Sequence, residues 1–274
     1  MLKVIRNIIL VFLIVVSMGP SDTIYIFEFK DIKLSVPIYS SFIPYATFFA
    51  GEYDFLSPNN SDILIDAGAN IGDYTVKVAH KVNGVIAIEP SVSSLNFLQK
   101  NLNSLKNVHI VQKALGNRVG TIGFGGEGVS AGVDENSKNV VEIDTLDSIC
   151  NKTGMFPTLL KMDIEGFEAE ALNGFTTYLP GIRRAVIEIH DEANRIGCES
   201  ILRQYGFKFR YQKKLTVLYK TIINIMSNPI AFLKYDKLNG FFATKVMLKF
   251  PITGKSNIPS CGEAPGMYLM EAWK

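Results

Sequence analysis

The sequence predicts an α/β protein whose sheet is largely parallel and covered by helices on both faces. Three observations carry that prediction: short apolar runs alternate with helical patterns from residue 61 to 188, the runs lack the polar alternation of a half-solvated strand, and several of them end in an acidic residue. The first run is 62–66 (DILID). The turn AGANIG follows it, and then Thr75, Val78, Ala79 and Val82 recur at helical spacing. Residues 84–89 (GVIAIE) form the second run. Pro90 and Ser91 then open a helix with Ser91 as its N-cap and Leu95, Leu98, Leu102 and Leu105 on one face. Further strands are expected at 108–113, 140–143, 158–163 and 184–189, with a helix in EGFEAEALNG closed by Gly174. The segment 120–139 is rich in Gly, Ser and Asn. It reads as a hairpin with a loop near a site or as a connection without catalytic role, and the second is favoured.

Composition narrows the class. With 47% hydrophobic and 20% charged residues, the 274-residue chain has enough apolar material for a sizeable core and is no disordered polar tail. Cys150, Cys198 and Cys261 are odd in number and lack CxxC spacing, which excludes a disulfide scaffold and a cysteine-rich zinc site and fits a reducing compartment. The net charge of +2 is unevenly spread: Lys208 to Lys255 holds ten Lys/Arg and one acid, Asp236, a local +9 that leaves −7 on the rest. Such asymmetry marks an anionic partner or a membrane face. Within it, 215–228 reads as a helix ended before Pro229, and Phe232, Tyr235, Phe241, Phe242 and Phe250 are interleaved with lysines. This insert has three readings: a cap over an anionic acceptor, a surface resting on anionic lipid, or a structural insert with its own small core. Residues 1–20 place Lys3 and Arg6 before an apolar run from Ile8 to Val16, and they also have three readings: a buried strand or hairpin, a membrane attachment, or a cleaved signal.

In an open parallel sheet, ligands bind beyond the carboxyl ends of the strands. Asp66, Glu89, Asp163, and Glu188 with His190 fall at such ends. Gly68 and Gly72 let the first turn approach a ligand closely, and Asn70 between them tolerates a left-handed backbone. A dinucleotide site wants G-x-G-x-x-G, whereas D-A-G-A-N-I-G lacks that spacing and sets an acid where phosphates would lie. A cationic cofactor with an amino-acid end and a ribose suits these acids better. Asp66 would face an ammonium or sulfonium group directly or through water, and Glu89 would accept from ribose hydroxyls. The ligand implied is S-adenosylmethionine.

DAGANIG (66–72), AIEP (87–90), ALG (114–116), TLD (145–147), KMDIEGFEAEALNG (161–174) and EIH (188–190), preceded by GEYD (51–54), resemble the FkbM-type S-adenosylmethionine-dependent methyltransferases in motif and order. The resemblance implies a class I methyltransferase fold: a Rossmann-like, mostly parallel seven-stranded sheet with helices on both faces and an antiparallel pair among its last strands, here 206–211 and 267–273. The domain plan becomes an apolar segment (1–20), lead-in elements (21–60), a cofactor-binding core (61–212), a basic aromatic insert (213–265) and a final core strand (266–274). The resemblance also implies O-methylation of a hydroxyl on a sugar, glycan or secondary metabolite. Tyr53, Asp66, Gly68, Asn70, Gly72 and Glu89 are then the cofactor-binding residues, with Tyr53 covering the cofactor.

Asp163, Glu165 and His190 are the catalytic candidates: Asp163 as base or acceptor-orienting group, Glu165 beside it, and His190 as a base whose ordinary pKa of ~6.5 lies near neutrality. Asp163, Glu188 and His190 also offer oxygen and nitrogen ligands, but without a recognisable ligand spacing no metal is assigned. Lys161 reads as a strand-end surface lysine outside the site. The acceptor expected is a small molecule or glycan, with lipid linkage suggested by the basic insert and apolar start. Nucleic acid is disfavoured for lack of an N-P-P-Y-like motif. The competing class is a membrane-associated binding protein that keeps the fold without catalysis, and a nicotinamide oxidoreductase ranks third. The need for S-adenosylmethionine favours a cytoplasmic location, with the inner face of the membrane as its refinement.

Overall fold

The computed structural model describes residues 24–126, 131–134, 136–238 and 268–274. Among these residues the central sheet has seven strands: β3 (Ile63–Ala67), β4 (Gly84–Ile88), β5 (Val108–Val111), β10 (Leu159–Met162), β11 (Arg184–Ile189), β12 (Lys208–Tyr211) and β13 (Tyr268–Trp273). Their order is β12-β13-β11-β10-β3-β4-β5. The strands from β11 to β5 run parallel, and β13 is wedged antiparallel between β11 and β12. The expected antiparallel pair is therefore present, and the fold is that of a class I methyltransferase. Strand order changes direction beside β3, so the turn after β3 opens onto the crevice where such folds bind ligands.

Both faces are covered, which explains why the strands read as unbroken apolar runs. On one face Ile65, Ile86, Leu160 and Ile187 pack against α3 (Leu146–Thr153), α4 (Glu168–Asn173) and α5 (Glu192–Gln204). On the other, Leu64, Val85, Ala87 and Leu159 meet α1 (Asp73–Val78) and α2 (Val92–Leu102). Ser91 caps α2 by accepting from the Ser94 N–H, and Leu95, Leu98 and Leu102 are its buried stripe, as the leucine spacing predicts. Asp191 caps α5 in the same manner, through the Asn194 N–H.

The strand expected at 140–143 forms as β9 (Val140–Asp144) but not in the main sheet. It joins β6 (Ala114–Leu115), β7 (Gly120–Gly125) and β8 (Gly132–Val133) in a separate four-stranded sheet of order β6-β9-β7-β8. Three of the short motifs meet behind it. A Cβ on Gly174 would lie 2.2 Å from the Gly116 carbonyl oxygen and 3.1 Å from Thr145, so a glycine is needed where ALG, TLD and the end of α4 touch. Asp147 accepts from the Thr176, Thr177 and Tyr178 N–H groups, which fixes the loop that follows.

A hairpin of β1 (Ile24–Phe29) and β2 (Ile32–Pro37) precedes the core, followed by a π-helical turn, Tyr45–Ala50. This lead-in shares an aromatic cluster with α6 (Lys214–Ser227) and α7 (Pro229–Leu238): Phe27, Phe48, Phe49, Val217, Phe232 and Tyr235 are all buried together. Among the described residues, the apolar side chains of the insert complete the core of the N-terminal hairpin. Pro229, expected to end the first helix, also begins the next, at the position where its missing N–H costs nothing. The readings of residues 1–20, Phe241, Phe242, Phe250 and Cys261 lie outside the described residues. Among the described residues no helix is long and apolar enough to cross a membrane.

One side chain ties the lead-in to the core. Asn101 Nδ2 donates to the Ser35 and Ile71 carbonyls (3.1 and 2.8 Å), and its Oδ1 accepts from the Ser35 N–H (2.8 Å). Asn101→Ala leaves these backbone groups unpaired. Urea denaturation should show a loss of about 1–3 kcal/mol, with faster amide exchange confined to residues 24–50.

Candidate active site

A cavity of about 330 Å³ opens at the carboxyl ends of β3, β4, β10 and β11, within the size range of small-molecule sites. Its base is the turn after β3. Gly68, Asn70 and Gly72 all have positive φ (73°, 48° and 84°). A Cβ on Gly68 would sit 1.7 Å from the Asp163 carbonyl oxygen, so this turn lies flat against the end of β10 as only glycine permits. Gly68 and Asn70 line the cavity, and the Asn70 Oδ1 is buried without a hydrogen-bond partner. Glu89, at the end of β4, also lines it and accepts from the Asn70 N–H (2.9 Å) and the Ser91 N–H (2.8 Å). Burial lifts the Glu89 carboxyl to about 7 against the lowering effect of those two N–H groups.

Asp66 and Gly72 stand behind this wall and are not part of it. Asp66 is fully buried, accepts from Thr75 Oγ1 of α1 (2.6 Å) and pairs with Lys161 Nζ at 3.2 Å. Direct contact of Asp66 with a ligand is not what the cavity lining shows: Oδ2 is held by Thr75, and Oδ1, buried without a hydrogen bond, lies 3.2 Å from Lys161 Nζ.

Lys161 requires a second correction. It does point away from Met162, but both faces of the sheet are covered, so the side opposite Met162 is interior as well. Lys161 is Asp66's cross-strand neighbour and only 4% exposed. Its Nζ donates to the Gly68 carbonyl at 2.5 Å and lies 5.3 Å above the Tyr53 ring. Burial lowers its pKa, yet the carboxylates of Asp66, Asp163 and Asp73 outweigh that and hold it above the ordinary lysine value. Lys161 lines the cavity, as does Lys113.

Tyr53 is buried against Tyr74 and donates to Asp163 Oδ2 at 3.3 Å. Asp163, Glu165 and Glu188 line the same end of the cavity. Glu165 adopts a left-handed backbone (φ 57°) in a turn strapped from α5, where Asn194 donates to the Gly166 carbonyl at 2.6 Å and accepts from the Ala169 N–H. Burial, reinforced by Asp163, lifts the Glu165 carboxyl to about 7. Burial also holds Glu188 well above the ordinary carboxylate range, with Asp163 and Glu52 adding to it.

His190 lies just behind these acids, Nε2 being 3.7 Å from Asp163 and 3.5 Å from Glu165. Its Nδ1 is 2.9 Å from Oε1 of the fully buried Glu168, which fixes the ring. Burial pulls its pKa down, but the Glu168 hydrogen bond and the surrounding carboxylates raise it to about 9. At neutral pH the ring is therefore a cation. The expected neutral base is corrected, because three carboxylates surround what sequence could only show as one histidine after a strand. Ligand atoms of Asp163, Glu165 and His190 lie within 4.8 Å of one another, a grouping that takes Glu165 in place of the expected Glu188 and could hold a divalent ion. The imidazolium already offsets part of the charge of those carboxylates.

The opposite wall comes from the lead-in and the small sheet. Thr47 of the π-helical turn donates to Asp73, whose carboxyl burial lifts to about 6. Phe124, Ala131 and Val133 close the far side. The described part of 120–139 pairs as a hairpin beside the cavity, the first of the two readings in shape, and nothing in it contradicts the absence of a catalytic role; residues 127–130 and 135 lie outside the described residues.

The description "Methyltransferase FkbM domain" matches residues 66–226. The chain belongs to this family. The cofactor that its motifs imply is S-adenosylmethionine. The hexuronic acid methyltransferase AglP of Haloferax volcanii is 28% identical over 151 residues, 51% of this chain and 63% of that protein. The crystal structure of a methyltransferase FkbM from Methylobacillus flagellatus superposes with a TM-score of 0.46 at 18% identity, covering 64% of this chain and 50% of the other. M. jannaschii TYW2, crystallised with AdoMet, gives 0.46 at 12% identity over 93% and 86% of the two chains. This chain therefore spans under two thirds of the curated relative's length and half that of the solved FkbM protein.

The cavity fits the cofactor on its own chemistry. It has a glycine-lined base, an orphaned buried amide oxygen on Asn70, and a wall of carboxylates suited to a cation. Two outcomes test this geometry. Lys161→Met strips the buried partner from Asp66 and should cost about 3–5 kcal/mol in urea denaturation, while the double variant with Asp66→Asn should cost less than the sum of the single changes. A histidine whose folded pKa is about 9 against 6.5 unfolded adds stability that is complete below pH 6.5 and lost as pH rises through 9. Melting curves over that window should show the loss in the wild type and a shallower one in His190→Gln.

Proposed function

We propose that the protein is an S-adenosylmethionine-dependent O-methyltransferase acting on a hydroxyl of a sugar or glycan. The observation that carries this reading is the continuity of one cavity from Gly68, Asn70 and Glu89 to Asp163 and Glu165. AglP, which by its name acts on a hexuronic acid, supports a sugar acceptor.

When bound, S-adenosylmethionine supplies an electrophilic methyl group on a sulfonium. In this reading Glu89 accepts from the ribose hydroxyls, and Asn70 Oδ1 accepts from the ammonium of the amino-acid end. The Gly68 and Gly72 turn admits the cofactor, and Tyr53 covers it. Asp66 acts through Lys161 and Thr75, holding the turn in place. Asp163, anchored by Tyr53, would orient the acceptor hydroxyl, and such positioning supplies much of the rate in a two-reactant transfer. Glu165, with a carboxyl near 7, would take the proton of the acceptor hydroxyl. His190, as a cation, positions Asp163 and Glu165 and limits their mutual repulsion. A lipid-linked glycan reached from the cytoplasmic side, where S-adenosylmethionine is found, is the finer form of the reading.

Calorimetric titration should show S-adenosylmethionine binding in the wild type, much weaker binding in Glu89→Ala, and none of NADH. With methyl-labelled cofactor and uronic-acid oligosaccharides, Glu165→Gln should lower kcat by ~10²–10⁴-fold with cofactor affinity retained. Cofactor binding without turnover on any hydroxylated acceptor would favour the non-catalytic binding protein. No binding would overturn both.

A further inference from the structure

Helices α6 and α7 present an apolar stripe to solvent and several polar groups to the protein. On the inner side of α6, Val217 and Thr221 are buried, Lys220 Nζ donates to the Gly51 carbonyl at 3.2 Å, and Asn224 Nδ2 donates to the Phe49 carbonyl at 3.0 Å. On the outer side, Tyr219, Ile222, Ile223 and Met226 are 67, 42, 46 and 75% exposed. Their spacing of i, i+3, i+4, i+7 is that of a helix's buried stripe. It continues on α7, where Ile230 and Leu233 are 68 and 63% exposed. An apolar strip of this extent on a protein surface marks a place of contact.

The surroundings of the strip say what it contacts. Lys234 and Lys237 are exposed on α7 at four and seven residues from Ile230. The acid within the two helices, Asp236, is buried, while Glu28 of β1 meets Lys234 at the border. β1 packs on α7, and its Ile24 and Ile26 are 48 and 51% exposed.

We propose that the outer face of α6 and α7 docks on an anionic lipid bilayer. The apolar stripe enters the boundary between headgroups and acyl chains, and the lysines meet the headgroups. A second copy of the chain would set lysines against lysines. Coverage by the chain's own apolar run would leave the basic excess without a partner. An anionic bilayer accounts for both the apolar stripe and its charge. Because α6 packs on the π-helical turn that walls the cavity, docking would set that wall one helix away from the lipid.

The test is cosedimentation of the full chain with phosphatidylcholine vesicles, with and without phosphatidylserine, read without cofactor so that it is independent of the methyltransferase reading. Wild type should bind the phosphatidylserine vesicles and release with salt. Ile223→Asp with Met226→Asp, and separately Lys234→Glu with Lys237→Glu, should each weaken binding by at least roughly tenfold, with circular dichroism unchanged. Binding that ignores lipid charge, or that both variants retain, would assign any lipid contact to other residues and overturn the proposal. So would the absence of binding, or a dimer in sedimentation velocity that the apolar variant dissolves.

Discussion

A buried ion pair at the centre of the sheet holds this structure's working end together. Asp66 and Lys161 face each other across β3 and β10, both withdrawn from water, and neither charge would be tolerated there alone. Their partners extend the constraint outward. Thr75 links Asp66 to α1, the Gly68 carbonyl links Lys161 to the turn, and the Tyr53 ring rests under the ammonium. The turn can lie against β10 because Gly68 has no side chain, and the sequence-adjacent Asp163 is thereby held next to the cavity. Sheet centre, glycine turn and catalytic candidates are one connected unit.

The charge around the cavity follows from that arrangement. Carboxylates at the ends of four parallel strands converge, and Lys161 and His190 are the cations that answer them. Burial makes uncompensated negative charge costly, so the Glu89 and Glu165 carboxyls are lifted to about 7 and Glu188 well above the ordinary carboxylate range. The surrounding carboxylates raise His190 to about 9 against the effect of its burial. An anionic cofactor would add to the excess, and a cationic one relieves it. The charge that favours a cationic over an anionic ligand thus comes from where the strands end.

The covering layers have different origins. The lead-in hairpin and the insert lie almost two hundred residues apart in sequence, yet they share one aromatic cluster, with Phe27 and Phe49 both against Tyr235. That cluster supports the π-helical turn over the cavity, while Asn101 ties the hairpin to α2. Deciding whether a residue of α6 faces in or out is impossible from its own periodicity. The exposed stripe at 219, 222, 223 and 226 has the same spacing as a buried one, and the outcome depends on Gly51 and Phe49 offering carbonyls to Lys220 and Asn224.

The antiparallel last pair was an implication of the family resemblance, whereas the residues alone specified the order of the core strands and helices, the N-cap of α2 and the turn that admits a ligand. Each of these follows from local chemistry: apolar runs, a serine before a leucine stripe, and glycines where φ is positive. The ordered motifs from DAGANIG to EIH placed the acids at strand ends for the same reason. Tertiary structure decided the rest, because burial and charge at a position depend on what lies across from it. Only pairing in the sheet made Lys161 the partner of Asp66 and not a surface residue. Glu168, Asp163 and Glu165 turned His190 from a neutral base into a cation. The small sheet took β9 and drew the glycine-rich hairpin onto the cavity, since its pairing partners lie far off in the chain and carry no local signal.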